Sequence, residues 1–286
     1  AYAGGGVADR TRTVILPAPR GAIYDRTGAA LAVSVEARYV YADPEQVRDR
    51  QATAAALSPL LGIPRSELAE RMKRRIRPDG VPSMFEYLAR QVDIDTAERI
   101  TALNLAGIGV KRDERREVPG GDLAANLLGF VGDEMTGLEG IEARYDEVLR
   151  GVNGRHVYEV NRGDMITAIP GGYSETTEAQ PGNSLALTID RDLQYEVQRL
   201  LSRTMAKHAG SVGAAVVLDL NGEILAQASH PTYSAADPSK SEPAHRNDAA
   251  TSFVVDPGSV HKPIVFGAAL QEGVITPDTT FGVPST

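Results

Sequence analysis

The sequence predicts two modules, an α+β module over residues 1–180 and the beginning of an α/β domain from residue 181. Three observations support this prediction. Before residue 150, strand patterns are interspersed with stretches of helical periodicity. Residues 151–183 are rich in Gly, Pro and Thr, which is typical of extended connecting structure. After them a strand pattern, a helical pattern and a hairpin signal follow closely, which favours a sheet with a helix packed on it.

Short strands and helices alternate in the first module. Residues 13–16 and 31–41 predict strands, because β-branched and aromatic residues are enriched there. Helical periodicity is found in residues 44–61, 65–76, 95–104, 123–130 and 138–149. In the second of these stretches, apolar residues recur every four positions, at Leu68, Met72 and Ile76.

The second module begins with a strand and a helix. Residues 185–189 predict the strand, and Asp190 is a candidate N-cap of the helix. The apolar face of this helix consists of Leu193, Val197, Leu200, Leu201 and Met205. Asn221-Gly222 then lies between two apolar runs. It predicts a hairpin with a type I′ turn, because both central residues of that turn need a positive φ.

The composition is typical of a globular protein, with 42% of the 286 residues hydrophobic and 24% charged. The absence of cysteine excludes disulfides, thiolate catalysis and cysteine-ligated zinc. The five histidines are scattered, so we expect neither a metal nor a cofactor. The net charge of -8 argues against nucleic acid as the main partner. The sequence contains no apolar run as long as a membrane span and no signal peptide.

Ser259 and Lys262 are the most informative pair, in a segment that runs from Asp256-Pro-Gly to Pro263. Residues three apart on a helix share a face, so the lysine amine can lie beside the serine hydroxyl. A serine becomes a nucleophile when a neighbouring base takes its proton, and a lysine of lowered pKa is such a base. The turn-forming lead-in places Ser259 at or near a helix start, where unpaired N–H groups favour negative charge. Surface helices also carry this spacing by chance.

Other charged residues favour structural interpretations. Asp25 and Arg26 lie beside glycines and are expected to stabilise a turn. Glu139 and Glu142 are three residues apart without an identifiable partner acid, which favours a helix-surface or domain-packing role. A basic cluster could contact an anionic membrane or wall polymer, although a solvated helix face is favoured. It consists of Arg71, Lys73, Arg74, Arg75 and Arg77. Residues 111–117 mix both charge signs and are also expected to be solvated.

Four segments along the chain form an ordered set of motifs. They are Arg20-Gly-Ala-Ile-Tyr-Asp-Arg-Thr-Gly28 with Leu31-Ala32, Gly137-Leu-Glu-Gly-Ile-Glu142 with Tyr145 and Leu149-Arg-Gly151, Leu187-Thr-Ile-Asp190 with Gln194, and Pro257-Gly-Ser259 with Lys262. Together they resemble class B penicillin-binding proteins, the peptidoglycan D,D-transpeptidases of bacterial walls. The likeness is particularly to septal, cell-division members from high-GC Gram-positive bacteria.

This resemblance implies both a fold and a reaction. The fold is an α+β N-terminal pedestal, a dimerisation-type module over residues 1–180. An incomplete α/β penicillin-binding domain of the serine transpeptidase, β-lactamase-like type follows over residues 181–286. Ser259 would attack a D-Ala-D-Ala stem peptide of peptidoglycan and form an acyl-enzyme, with Lys262 as the base. β-Lactams would acylate the same serine, and the protein would serve septal wall synthesis.

The resemblance also implies partners and a location. A polytopic glycosyltransferase and other division proteins would bind the protein, and no nucleic acid would. The expected location is the extracytoplasmic face of the bacterial cell membrane, with an N-terminal anchor segment that is absent from this chain. Two other functions stay open, a pedestal that only binds partners of a divisome or elongation complex, and a serine enzyme that senses or hydrolyses β-lactams.

The sequence departs from the family pattern in two respects. His261 stands where members more often carry an apolar residue, so it either faces solvent or perturbs Lys262. The Ser-x-Asn and Lys-Thr-Gly elements of this fold do not follow Lys262. We therefore expect that the chain stops partway through the catalytic domain and is inactive by itself.

Overall fold

A computed structural model of the chain describes residues 11–78, 80–160 and 168–282. The chain divides into two compact units, Ala1–Ala250 and Thr251–Thr286, which are described separately below. This division leaves the domain boundary near residue 180 as a prediction.

The first unit is a mixture of short strands and helices. Its strands are β1 (Thr11–Leu16), β2 (Ile23–Tyr24), β3 (Ala30–Ala42), β4 (Glu86–Val92), β5 (Ile108–Glu117), β6 (Gly154–Glu159), β7 (Ser174–Thr177), β8 (Leu185–Ala186), β9 (Gly213–Leu218) and β10 (Ile224–His230). Its helices are α1 (Arg50–Leu61), α2 (Arg65–Arg71), α3 (Ile94–Ala102), α4 (Ala125–Leu128), α5 (Gly140–Arg144), α6 (Asp146–Leu149) and α7 (Arg191–His208), with 3-10 turns at Pro238–Lys240 and Pro243–Arg246. A short helix, α8 (Ala249–Ser252), reaches into the second unit.

Strand β3 is the centre of a five-stranded sheet. It pairs antiparallel with β5 from Val33 opposite Glu117 to Ala42 opposite Ile108, and also with β4 and β2, while β8 extends the sheet beyond β2. Because side chains alternate along a strand, β3 presents different residues to the two faces of the sheet. Val40 is fully buried in a core with side chains of α1 and α2, and Tyr39 and Tyr41 belong to the opposite face.

Local signals explain where α1 begins and ends. The Asp49 carboxylate accepts hydrogen bonds from the N–H groups of Gln51 and Ala52, and Gly62 ends the helix in the left-handed conformation with φ of 68°. Residues 44–48 precede this cap, so the helix predicted from residue 44 begins six residues later, at Arg50. Helix α2 ends at Arg71 rather than at residue 76, and Ile76 is exposed and pairs with Pro82 in an isolated bridge.

A second core joins the first motif to the later segments of the module. It is formed by Ile23, Leu31, Leu128 and Leu149 together with small neighbouring residues. Beside it, the buried Arg20 donates hydrogen bonds to Glu142 and Asp146 at 2.7 and 2.6 Å. Through these hydrogen bonds, Arg20 connects the start of the module to α5 and α6.

Strands β1, β6 and β7 form a separate three-stranded sheet in that order. The pairing of β1 with β6 joins Thr11 to Glu159 and Leu16 to Gly154, so the two ends of the module meet in one sheet. The strand predicted in residues 13–16 is confirmed, and its partner β6 lies in the segment that was predicted to be extended connecting structure.

The predicted hairpin is confirmed, with α7 packed on it. β9 and β10 pair antiparallel across residues 219–223. The type I′ turn is wrong, because in this loop Gly222 has a positive φ of 90° and Asn221 does not. Instead, the Asp219 carboxylate accepts hydrogen bonds from the N–H groups of Asn221 and Glu223 at 2.8 Å. The loop is held by this acceptor side chain rather than by two left-handed residues.

Helix α7 begins as predicted, but its inner face differs from the prediction. Asp190 caps it by accepting from the N–H groups of Asp192 and Leu193. The buried residues of α7 are Gln194 and Gln198, while Leu200 is 65% exposed. A search for apolar periodicity does not detect this buried face, because it consists of two glutamines. Their side chains form hydrogen bonds to neighbouring backbone groups.

The prediction that residues 111–117 are solvated is wrong. They belong to β5, where Asp113 and Glu114 are buried. The Asp113 carboxylate accepts two hydrogen bonds of 2.9 Å from the Arg90 guanidinium and one from the Gln91 N–H. Burial alone would raise the pKa of Asp113, but these hydrogen bonds outweigh it and lower the pKa below its ordinary value.

Candidate active site

The Ser259 segment lies in the second unit and begins a helix. A 3-10 helix, Gly258–His261, leads directly into α9 (Lys262–Gln271). Gly258 has a positive φ of 51°, which a glycine adopts readily, and its N–H donates to the Asp256 carboxylate at 3.2 Å. The turn residues ahead of Ser259 therefore start the helix, as the sequence predicted.

Ser259 and Lys262 lie on the two sides of the junction between these helices. The Lys262 N–H donates to the Ser259 carbonyl, so the two residues are one 3-10 turn apart. Both are exposed. Within the described residues, neither the hydroxyl nor the amine has a hydrogen-bond partner, and the Ser259 N–H is also unpaired. Their catalytic assignment stays a prediction.

Helix α9 is exposed, although its composition favours burial. Its sequence, Lys-Pro-Ile-Val-Phe-Gly-Ala-Ala-Leu-Gln, is apolar on all sides, which is typical of a helix covered by other elements. None of its residues is buried, and Phe266 and Ile264 are 47% and 66% exposed. A unit of 36 residues has too little other structure to cover such a helix. His261 is exposed as well.

Asp25 has the structural role that the sequence favoured. Its Oδ1 accepts from the N–H groups of Thr27 and Ala29 and from the Thr27 hydroxyl, each at 2.8 Å. Its Oδ2 accepts from the Arg191 N–H at the start of α7. Burial alone would raise the pKa of Asp25, but these hydrogen bonds lower it below its ordinary value. The carboxylate is fully engaged in holding a turn against α7.

Glu142 confirms the domain-packing interpretation. Its two carboxylate oxygens accept from Arg20 at 2.7 Å and from Arg116 at 2.8 Å. The Arg116 guanidinium also donates to the Gly21 carbonyl, while its Nη2 is buried without a hydrogen-bond partner among the described residues. Glu139, in contrast, is the N-cap residue that precedes α5, and its side chain makes no capping hydrogen bond. Glu139 and Glu142 therefore do not form a catalytic pair of carboxylates.

The basic cluster contacts neighbouring acids. Arg71 pairs with Glu67 and Lys73 with Glu70, while Arg74 and Arg75 approach Glu45 and Glu86 at 3.4 and 3.9 Å. These side chains are largely exposed, so the cluster is a solvated surface with local ion pairs, as favoured from the sequence.

Sequence reasoning did not find an aromatic cavity in the first unit. Tyr39, Tyr41, Phe85 and Tyr87 line it together with Lys111. Burial and the neighbouring tyrosines raise the pKa of Tyr39 to about 12, so its hydroxyl is protonated at neutral pH. The signal was present in the alternation Tyr39-Val-Tyr41, which places both tyrosines on one face of a strand. Their neighbours come from strands that are distant in sequence.

Two further observations concern the whole described chain. In residues 11–78, 80–160 and 168–282, no three His, Asp or Glu side chains are grouped as metal ligands. In the same ranges no helix has the length and apolar character needed to cross a bilayer.

Comparisons with known proteins identify the two parts of the chain. Residues 15–187 match the family model of the Penicillin-binding Protein dimerisation domain, and residues 213–286 match that of the Penicillin binding protein transpeptidase domain. The chain is 38% identical over 263 residues to the peptidoglycan D,D-transpeptidase FtsI of Escherichia coli (strain K12), covering 90% of this chain and 43% of that protein. It is 32% identical over 289 residues to the penicillin-binding protein PbpB of Mycobacterium tuberculosis, covering 95% of this chain and 42% of that protein. The chain thus spans less than half the length of these curated relatives.

Solved structures show the same fold. A peptidoglycan synthetase from Bifidobacterium adolescentis has a TM-score of 0.63 at 31% identity, covering 96% of this chain and 53% of that one. The Helicobacter pylori penicillin-binding protein PBP2, solved in complex with MreC, has a TM-score of 0.71 at 23% identity, covering 96% and 55%. The fold class implied by the sequence motifs is confirmed, an α+β module followed by the short first part of a transpeptidase domain. The chain therefore belongs to the penicillin-binding proteins that carry a dimerisation domain ahead of a transpeptidase domain.

Proposed function

We propose that this protein, at the full length of its relatives, is a peptidoglycan D,D-transpeptidase that cross-links stem peptides in septal wall synthesis. The observation that carries the proposal is the start of the helix in the second unit. There Ser259 has an unpaired hydroxyl and an unpaired backbone N–H, and Lys262 follows one turn later. The names of the relatives FtsI and PbpB support the same reaction class.

In the proposed reaction, the Ser259 Oγ attacks the carbonyl carbon of the penultimate D-Ala of a stem peptide. The Lys262 amine accepts the hydroxyl proton as the general base, and the tetrahedral intermediate expels D-alanine, whose nitrogen takes up that proton. The Ser259 N–H would stabilise the oxyanion. An amine of a neighbouring stem peptide then attacks the acyl ester, forming the cross-link and returning the proton to Ser259. One peptide bond is broken and one is formed, so no cofactor is needed.

The test is covalent labelling of the full-length protein with a fluorescent penicillin, followed by intact mass measurement. We expect one adduct that is lost in Ser259→Ala and retained in Ser202→Ala, a matched substitution at an exposed position of α7. Lys262→Met should slow acylation on the order of 10²–10⁴-fold, since general base catalysis is removed. Labelling of Ser259→Ala at the wild-type rate would refute the assignment.

Two controls separate the alternatives. The 286-residue chain should show weak or no acylation, because it contains no Ser-x-Asn or Lys-Thr-Gly element after Lys262. A stable adduct supports a transpeptidase, and repeated hydrolysis of penicillin by the full-length protein would instead show a β-lactamase. Signalling without cross-linking activity would show a sensor.

The first unit favours a second role, the binding of other wall-synthesis proteins. Helicobacter pylori PBP2, which has the same fold, was solved with MreC. By analogy, the dimerisation domain here would bind a polytopic glycosyltransferase and other division proteins at the extracytoplasmic face of the cell membrane, with the protein anchored there. Cross-linking of the full-length protein in cells, followed by identification of the captured proteins, tests this role. Capture of none of these protein classes would contradict it.

A further inference from the structure

A cavity of about 170 Å³ lies in the first unit, between α7 and the segment that follows β5. One face of α7 forms its wall, because the residues that the helix contributes recur at intervals of three and four positions. They are Tyr195, Gln198, Arg199, Ser202 and Arg203, and the lining is completed by Asp122, Leu123 and Thr232. The volume is below the usual range for whole ligands, which favours recognition of one small group of a larger molecule.

Hydrogen bonds fix the floor of this cavity. The buried Gln198 side chain accepts from the Ala124 N–H at 3.0 Å and donates to the Asp122 carbonyl at 2.9 Å. Leu123, between those two residues, is buried in the second core. The segment that follows β5 is thereby held against α7 without a ligand. A preformed site of this kind lowers the entropic cost of binding.

Two arginines of the wall lack an acidic partner. Arg199 and Arg203 are exposed, and neither guanidinium forms an ion pair or a hydrogen bond with the part of the chain that the structure describes. The Arg199 guanidinium lies over the Tyr195 ring, 5.0 Å from its centroid. Like charges four positions apart on a helix repel each other. An anion bound beside both side chains would offset this repulsion.

The charge of the lining is unbalanced. Asp122 is its one carboxylate, and among the described residues it forms no ion pair with Arg199 or Arg203. Glu196, on the same helix, does not line the cavity and does not pair with either arginine in the described ranges. The lining thus has two positive charges and one negative charge, on a chain whose net charge is -8. This local excess of positive charge favours an anionic ligand.

Thr232 provides an independent indication of a ligand. Its Oγ1 is buried and has no hydrogen-bond partner within residues 11–78, 80–160 and 168–282. The next residue, Tyr233, is buried and donates its hydroxyl to the Ala125 carbonyl at 3.1 Å, so the backbone is held in place here. A buried hydroxyl without a partner is unfavourable. An acceptor oxygen of a ligand in the cavity would supply the partner.

We propose that this cavity binds the phosphate group of a phosphodiester. A tetrahedral phosphate accepts hydrogen bonds from several directions, here from two guanidinium groups and from the hydroxyls of Ser202 and Thr232. A carboxylate is planar and has two oxygens, so it would leave some of these donors unpaired. Asp122 disfavours a second negative charge on the ligand, and a singly charged diester therefore fits better than a dianionic monoester. The inference is independent of the acylation reaction and of the binding role proposed above.

The test is a titration of the 286-residue chain with glycerophosphoglycerol, a soluble phosphodiester, followed by phosphorus NMR line broadening at constant ionic strength. We expect saturable binding in the millimolar range that weakens at least fivefold in Arg199→Gln and in Arg203→Gln. Arg65→Gln and Arg144→Gln are the matched controls. Arg65 is exposed as Arg203 is, and Arg144 lies over a tyrosine ring as Arg199 does. Both controls should change the Kd less than twofold.

Two further substitutions separate a built site from general charge attraction. Asp122→Asn should tighten binding at least twofold because the opposing charge is removed, whereas Asp133→Asn, at an exposed position outside the cavity, should leave it unchanged. Thr232→Val should weaken binding at least twofold, and Thr232→Ser, which keeps the hydroxyl, should retain it. Urea denaturation of each variant shows that it is folded.

Vesicles distinguish two sources of the phosphodiester. If the ligand is a lipid headgroup, the 286-residue chain should cosediment with phosphatidylglycerol vesicles, and Arg203→Gln should reduce the bound fraction. Binding of glycerophosphoglycerol without cosedimentation would assign the cavity to a soluble phosphodiester.

Three results would overturn the proposal. They are line broadening that does not saturate below about 20 mM diester, displacement of the diester by an equal concentration of acetate, and equal effects of Arg203→Gln and Arg65→Gln. Acylation of the full-length protein by penicillin is measured separately, so failure of this site leaves the proposed transpeptidase reaction intact.

Discussion

The Nε of Arg20 donates a 2.7 Å hydrogen bond to the Oε2 of Glu142, a residue 122 positions later in the chain, and both side chains are almost completely buried. Arg116 donates to the other oxygen of the same carboxylate. One glutamate thus pairs with two buried arginines from two different segments, and Asp146 supplies a second negative charge to Arg20. This arrangement joins the first motif, β5 and α5 into one packed unit.

Glu142→Gln should lower the free energy of unfolding by about 3–5 kcal/mol, because it leaves two buried guanidinium groups with one fewer negative charge. Urea denaturation of the 286-residue chain measures the change. Glu147→Gln removes an exposed carboxylate on the next helix and should change stability by less than about 0.5 kcal/mol. Equal effects of the two substitutions would show that the buried cluster does not stabilise the module.

Asp146 should make stability depend on pH in the acidic range. Burial alone would raise the pKa of Asp146, but hydrogen bonds from Gly137 and Arg20 outweigh it and lower the pKa below its ordinary value. A lowered folded-state pKa contributes stability above the unfolded pKa of about 3.9, and the contribution is lost as pH falls through the folded-state pKa. Asp146→Asn should therefore be less stable than wild type at pH 7, with a difference that shrinks below about pH 4.

Denaturation at several pH values tests the Asp146 prediction. Asp133→Asn, at an exposed position, is the matched control and should follow the wild-type curve. A stability difference for Asp146→Asn that stays constant from pH 7 to pH 3 would contradict the prediction.

Gln194→Ala should loosen the attachment of α7 to the hairpin. The Gln194 amide accepts from the Gln227 N–H at 2.7 Å and donates to the Gln227 carbonyl at 2.9 Å, so it imitates a neighbouring strand. Removing it leaves buried backbone groups unpaired, at about 1–3 kcal/mol for each group. The direct readout is hydrogen exchange of the Gln227 amide, which should accelerate, whereas Glu196→Ala on the exposed face of α7 should leave it unchanged.

Gly21→Ala should strongly destabilise the first unit. A Cβ at this position would lie 1.9 Å from the carbonyl oxygen of Asn183, so the backbone of one segment would have to move. Thermal denaturation should show a large fall in the melting temperature or loss of folding. Gly267→Ala is the control, because a Cβ there meets no atom within 4 Å and alanine favours a helix by about 1 kcal/mol. Normal stability of Gly21→Ala would show that the two segments are not in close contact.

Features formed by neighbouring residues were predictable from the sequence. The start of α7 at Asp190, the hairpin after β9, the turn at Asp25 and the helix start at Ser259 depend on short-range backbone preferences and on acceptors a few residues away. The ordered motifs also led correctly to the family.

Other features were decided by the tertiary structure. The sequence shows that Glu142 is acidic, but only the packing of α5 against β5 and the first motif makes it the partner of two arginines. The apolar composition of α9 indicates a buried helix, yet none of its residues is buried in the part of the chain that the structure describes.

By itself, the sequence determined the family, the positions of Ser259 and Lys262, and the local turns that begin their helix. The tertiary structure decided which distant side chains became partners, including the placement of Lys111 against a wall of aromatic rings. The physical reason is range. Backbone preferences and caps act over a few residues, whereas burial and ion pairing depend on which elements become neighbours in space.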